Sequence, residues 1–188
     1  MLVFCFRGFQ VRVDWSFLAL VAALTSIEGE WAQTVGLCLC CAVLHELGHV
    51  AAMLWLAVPP DSLTLCAAGM LLPARRLACG RVGACVILLA GPAVNLCCAG
   101  LCGLAMGRCA FGDASLALGL FNLLPFEGSD GWQLLFELTG REPPRLVMAL
   151  AALVSAALCC LAVWWGALPM PLIAVTSYML ASAVMQFD

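Results

Sequence analysis

The residues Leu44, His45, Glu46, Leu47, Gly48 and His49 form an H-E-x-x-H pattern inside a long apolar run. On a helix, positions four apart share a face, so both imidazoles can reach one metal ion. Glu46 is offset by one residue, close enough to take a proton from a water on that metal without being a ligand. Zinc brings the pKa of such a water to about 7, which makes a nucleophile available near neutral pH. A neighbouring carboxylate then serves as general base, and later as general acid toward a leaving amine. The chain has 2 histidines, and both stand in this pattern. An ionisable trio inside an apolar span is costly and marks a functional site by default.

A hydrolytic zinc site takes three protein ligands and leaves a fourth position open. No third histidine exists, so the third ligand is a carboxylate or a thiolate. Asp61 follows Pro59 and Pro60 and reads as a turn residue, while Asp113 falls on the opposite side of the membrane in the arrangement below. Asp130 lies in residues 122–131, Asn-Leu-Leu-Pro-Phe-Glu-Gly-Ser-Asp-Gly, which break a helix at Pro125, Gly128 and Gly131. A helix broken at membrane depth is tolerated where it lines a polar cavity. Cys38 and Cys41 share the helix face of His45 and offer thiolates instead. A carboxylate suits an open hydrolytic site better, and both ligand types stay in view. Glu127 and Glu137 read as solvated charges.

The elements that must hold these residues are set by composition. Hydrophobic residues are 65% of the 188 and charged residues 10%, with a mean hydropathy of +1.09. A soluble domain is about 45–50% apolar and about 25% charged, so this chain cannot dress a surface for water and belongs in a lipid bilayer. The formal charge of -3 and the lack of any basic run exclude nucleic acid as a partner. The 13 cysteines are scattered through apolar stretches and read as reduced small hydrophobes rather than a secreted disulfide framework. Apolar segments cover residues 15–27, 31–58, 82–106, 111–124, 146–165 and 168–187. Together they predict an all-α polytopic membrane protein of about six transmembrane helices, organised as a single domain over residues 1–188. The chemistry-bearing core occupies residues 31–140, and residues 146–187 form accessory helices.

A small membrane-associated β element is expected beside the helices. Phe9, Val11 and Val13 alternate with Gln10, Arg12 and Asp14, a strand's period of two. Residues 62–73, apolar but broken by Gly69 and Pro73, read as a hairpin dipping toward the membrane. Gly100, Gly103 and Gly107 read as a smooth helix face for close packing. The arginines orient the whole, since there are no lysines. Starting six spans from the cytoplasm puts Arg7, Arg12, Arg75, Arg76, Arg81, Arg141 and Arg145 inside and only Arg108 outside. Both termini are then cytoplasmic.

Three motifs in order now carry a resemblance: the His45–His49 pattern in one span, Gly91-Pro92-Ala-Val-Asn95 in the next, and Asn122 to Gly131 after that. They resemble the site-2 protease family of intramembrane zinc metalloproteases, and within it the stage IV sporulation protein FB-like branch, over roughly residues 7–140. The resemblance implies an integral protein of a bacterial cell membrane with a Zn2+ cofactor bound by His45, His49 and Asp130. It implies that Glu46 activates water and that Asn95 helps position the scissile peptide. It also implies a membrane-associated protein substrate, such as a sigma-factor precursor, and a regulatory membrane partner. Gly128 and Ser129 depart from the family's proline and leucine, Trp132 stands where a second glycine is common, and Asp14 where a histidine is often found. These departures bear on substrate preference more than on catalysis.

Two rivals stand beside this reading. An inactive membrane scaffold of the same fold would not require Glu46, and a metal transporter would carry more polar residues along several spans. The arginine bias yields a topological prediction. Reporters fused after residue 188 or inserted near Arg75 should report the cytoplasm, and one near Glu28 the outside. The same side for Arg75 and Glu28 would contradict the span assignment.

Overall fold

The computed structural model describes residues 1–6, 9–15, 22, 30–58, 62–66, 69–71, 79–126 and 129–142, followed by 144, 146–147, 149–151, 153–154 and 157. Two compact units divide the chain, Met1–Gly119 and Leu120–Asp188.

In the first unit two strands, β1 (Leu2–Phe6) and β2 (Phe9–Val13), pair antiparallel with Leu2 opposite Val13. Helix α1 (Glu30–Trp55) follows, then β3 (Ser62–Cys66) and β4 (Gly69–Leu71). β3 joins β2 in parallel and β4 antiparallel, giving one sheet in the order β1-β2-β3-β4. β2 is therefore an inner strand, and among the described strands the outer ones are β1 and β4.

Helix α1 runs 26 residues without proline. Its end has a physical cause. Ala57 adopts a left-handed φ of 56°, the Ala57 N–H donates to the Leu54 carbonyl, and the Val58 N–H donates to the Met53 carbonyl. This pair of reversed bonds caps the last carbonyls, and Pro59 forbids a further turn.

Helix α2 (Gly80–Met106) and helix α3 (Ala110–Asn122) follow in the chain. Contacts between α1 and α2 run in opposite senses along the chain. A side chain on Gly83 would approach Leu56, whereas the backbone of Ala90 lies against Gly48, so the two helices are antiparallel. The approach is close. A Cβ on Gly48 would stand 2.7 Å from the Ala90 carbonyl oxygen and 3.0 Å from a Val94 methyl.

The inward faces of both long helices carry small and polar residues beside a few large apolar ones. Cys41, His45, Gly48, His49, Ala52 and Met53 are the buried positions of α1, and Gly83, Ala84, Ile87, Leu88, Gly91, Pro92 and Asn95 those of α2. Leu39, Val43, Leu47 and Leu54 of α1 and Val82, Leu89, Leu101 and Leu104 of α2 are exposed. A water-soluble protein distributes these residues the other way round. Both helices are long and apolar enough to cross a membrane, 24 residues over Ala32–Trp55 and 27 over Gly80–Met106. Among the described residues no other helix is.

α3 differs from the expected span over residues 111–124. Its 13 residues extend about 20 Å, short of a hydrocarbon core of about 30 Å. Its buried face is small, with Gly112, Ser115 and Gly119 seven residues apart end to end. A Cβ on Gly112 would lie 3.1 Å from the Cys102 Cβ, and one on Gly119 3.3 Å from the Asn95 Cβ. α3 thus returns along α2 and backs Asn95. Of the expected span over residues 15–27 only residues 15 and 22 are described, that over residues 168–187 lies outside the described residues, and residues 146–165 are described only at the positions given above.

The second unit is described through helix α4 (Asp130–Thr139) and the turn before it. Phe126 and Ala151 are buried with Phe121 and Leu124 packed against them, and the Phe121 and Phe126 rings stand 4.3 Å apart. α4 ends at Gly140, whose left-handed φ of 66° lets its N–H donate to the Phe136 carbonyl.

The α1–α2 approach makes a stability prediction. Gly48→Ala must push a backbone oxygen away and should cost about 1–3 kcal/mol in detergent unfolding. Gly36→Ala, with no described atom within 4 Å, should be neutral or slightly stabilising.

Candidate metal centre

Helix periodicity places His45 and His49 one turn apart on the inward face of α1, 5% and 7% exposed. Two imidazoles in an apolar interior are costly unless their nitrogens are satisfied. All four ring nitrogens have partners. His49 Nδ1 is 2.7 Å from the Ile87 carbonyl oxygen, a bond in which the ring N–H donates. That fixes the tautomer of His49 and leaves the Nε2 lone pair for another partner. His49 Nε2 lies 3.2 Å from His45 Nε2, with the rings edge to face at 83°. His45 Nδ1 lies 3.3 Å from the Asn95 amide nitrogen.

These atoms fit a metal. Two nitrogens bound to one tetrahedral zinc at about 2.0–2.1 Å stand about 3.3 Å apart, and the pair is separated by 3.2 Å. The space beside them is kept open by a glycine. A Cβ on Gly91 would run into His49 Nε2 and would lie 2.8 Å from His45 Nε2. Gly91 therefore leaves room at the two nitrogens that a metal needs, and any larger residue would press into them. Pro92, next in the chain, removes the N–H that would bond the Leu88 carbonyl and loosens α2 at this level.

The structure brings His45, His49 and Asn95 together within the first unit. Glu46, one residue along from His45, is half-buried. Cys41 is buried but engaged elsewhere, its Sγ 3.2 Å from Ser115 Oγ and 3.8 Å from the Phe111 carbonyl. Its thiol faces α3. Cys38 is half-buried. Asp61 and Glu127 lie outside the described residues.

Asp130 is the first residue of α4 in the second unit, half-buried. Its position is built by its neighbours. Ser129 caps the helix by accepting from the Trp132 N–H at 3.0 Å, and its hydroxyl lies 2.6 Å from the Leu124 carbonyl and 2.8 Å from that of Phe126. Gly131 lies so close to the Leu123 carbonyl that no side chain fits there. The serine that departs from the family pattern is thus what closes the turn and aims the helix start. Sequence reading had no role for Ser129, Gly91 or the Ile87 carbonyl. The first had a signal, a serine three residues before a backbone N–H at a helix start; the carbonyl had none.

Gly91 generates a prediction. Gly91→Ala should lower zinc affinity at least tenfold, read by metal analysis of the purified protein, because the methyl presses on both Nε2 atoms. Gly100→Ala, with no described atom within 4 Å, should bind zinc as the parent does.

No protein-family model matches the sequence, and no curated protein matches it. Among solved structures the chain is similar to the Site-2 Protease from Methanocaldococcus jannaschii. The TM-score is 0.61 and the identity 20%, over 97% of this chain and 92% of that one. At this identity the likeness is one of fold.

Proposed function

We propose that the chain is an intramembrane zinc metalloprotease that hydrolyses a peptide bond in or near the transmembrane segment of a membrane-associated protein. The observation that carries this reading is the buried imidazole pair, with Nε2 atoms 3.2 Å apart on the inward face of a helix able to cross a membrane. The fold likeness to a site-2 protease supports it.

In this reading His45 and His49 bind through Nε2, and Asp130 at the head of α4 supplies the third ligand. The engagement of the Cys41 thiol by Ser115 supports a carboxylate over a thiolate. Zinc, when bound, polarises the scissile carbonyl and lowers the pKa of water to about 7. Glu46 takes the proton from the attacking water and returns it to the leaving nitrogen. A helical substrate hides its peptide bonds, so it must be held extended. β4, an outer strand among those described, offers main-chain groups for that.

The finer reading follows the sporulation-type branch: a sigma-factor precursor as substrate, a regulatory membrane partner, both termini in the cytoplasm and a bacterial cell membrane as the location. An inactive scaffold would leave the intact Glu46 without a task, and a transporter would need a relay of polar groups beyond the cluster around His45 and His49.

Coexpression with a membrane-tethered precursor tests the activity. Glu46→Gln should abolish cleavage while zinc content stays near the parent level, because the residue is a base and not a ligand. Asp130→Ala should lose both, whereas Glu127→Ala should keep both. Turnover by purified Glu46→Gln would refute the mechanism, and full zinc in Asp130→Ala with loss in Cys41→Ala would make the third ligand a thiolate.

A further inference from the structure

Asn95 is fully buried, and its Oδ1 has no hydrogen-bond partner among the described residues. Its amide nitrogen instead faces His45 Nδ1 at 3.3 Å. In this sense the amide N–H donates and His45 Nδ1 accepts, which puts the proton of neutral His45 on Nε2. His45 Nε2 then donates to His49 Nε2, and His49 Nδ1 to the Ile87 carbonyl. The chain of bonds is consistent throughout, and it suits a pair with no ion between its members.

A metal at the pair requires a lone pair on both Nε2 atoms. His49 already offers one, because the Ile87 carbonyl holds its proton on Nδ1. His45 offers one only when its own proton moves to Nδ1, and that N–H then needs an acceptor at the place where the Asn95 amide stands. Turning the amide about its last side-chain bond brings Oδ1 there with no change of shape. One amide atom lacks a partner in either sense, so the orphan oxygen does not choose between them. The ion's demand for the His45 lone pair does.

We infer that Asn95 is a positioning residue for the metal ligand His45, its Oδ1 accepting the His45 Nδ1–H in the metal-loaded protein. It is the side-chain counterpart of the Ile87 carbonyl on His49. A Cβ on Gly119 of α3 would lie 3.3 Å from the Asn95 Cβ, so α3 backs the Asn95 side chain closely. The role differs from that of contacting the scissile peptide, and it rests on the metal centre proposed above.

With 2 histidines in the chain, isotope-labelled histidine yields two imidazoles to follow by nitrogen NMR. Three proteins are compared, the parent, Asn95→Asp and Asn95→Leu, each metal-free and titrated with zinc under a competing chelator. Ionised Asp only accepts, so metal-free Asn95→Asp should already carry the His45 proton on Nδ1, whereas the metal-free parent carries it on Nε2. Zinc should move the parent's proton to Nδ1. Asn95→Leu should bind zinc about 10–100-fold more weakly, as loss of an outer partner does, and Asn95→Asp should bind as tightly as the parent or more so. Zinc affinity of Asn95→Leu within about twofold of the parent would overturn the inference and leave the metal centre standing. A parent that binds no zinc would overturn both. Where Asn95→Leu fails to fold, the isosteric Asp variant decides: a His45 proton that stays on Nε2 there refutes the role.

Discussion

The structure depends on how closely α1 and α2 approach. Gly48 lets the Ala90 backbone settle on α1, and Gly91 lets the imidazoles of α1 settle on α2. Between these two contacts, His49 reaches the Ile87 carbonyl and His45 reaches Asn95. A side chain at either glycine would separate the helices and strand buried ring nitrogens. Leaving one buried polar group unsatisfied costs about 1–3 kcal/mol, so the packing of small residues and the satisfaction of polar ones are one problem. The same geometry that stabilises the histidines presents their Nε2 atoms side by side.

Lipid makes this arrangement possible. In water, a helix that exposes Leu39, Val43, Leu47 and Leu54 while burying two histidines would be inverted. In a bilayer the apolar face has its solvent, and association is driven by close packing and interhelical hydrogen bonds. Small residues at Gly48, Gly91, Gly112 and Gly119 supply the packing, and His45, His49, Asn95 and Ser115 supply the bonds. The polar cluster is thus both the glue of the three helices and the place where chemistry can occur.

Much of the first unit could be read from sequence because its signals are local. The two histidines stand in one motif, and Pro59 and Pro60 mark the end of α1, which stops at Trp55. The start of α2 at Gly80 likewise falls within two residues of the expected one. What escaped is what depends on a neighbouring element. Gly100, Gly103 and Gly107 looked like the packing face, yet the glycines that meet a neighbour within the described residues are Gly48, Gly83, Gly91, Gly112, Gly119 and Gly131, because contact depends on which face turns inward. The alternation at residues 9–14 marks a strand but not its partners, and the pairing of β2 with both β1 and β3 puts it inside the sheet. α4 was passed over because Gly128 and Gly131 read as breakers, whereas Gly131 is inside the helix and needed for its approach to the Leu123 carbonyl.

In the proposed function a zinc ion is held by nitrogen and oxygen ligands. X-ray absorption at the zinc edge of the purified protein in detergent tests it most directly. The prediction is one zinc per chain with two imidazole nitrogens and oxygen ligands at about 2.0–2.2 Å and no sulfur. A shell of sulfur at about 2.3 Å, or a protein that retains no zinc, would contradict it.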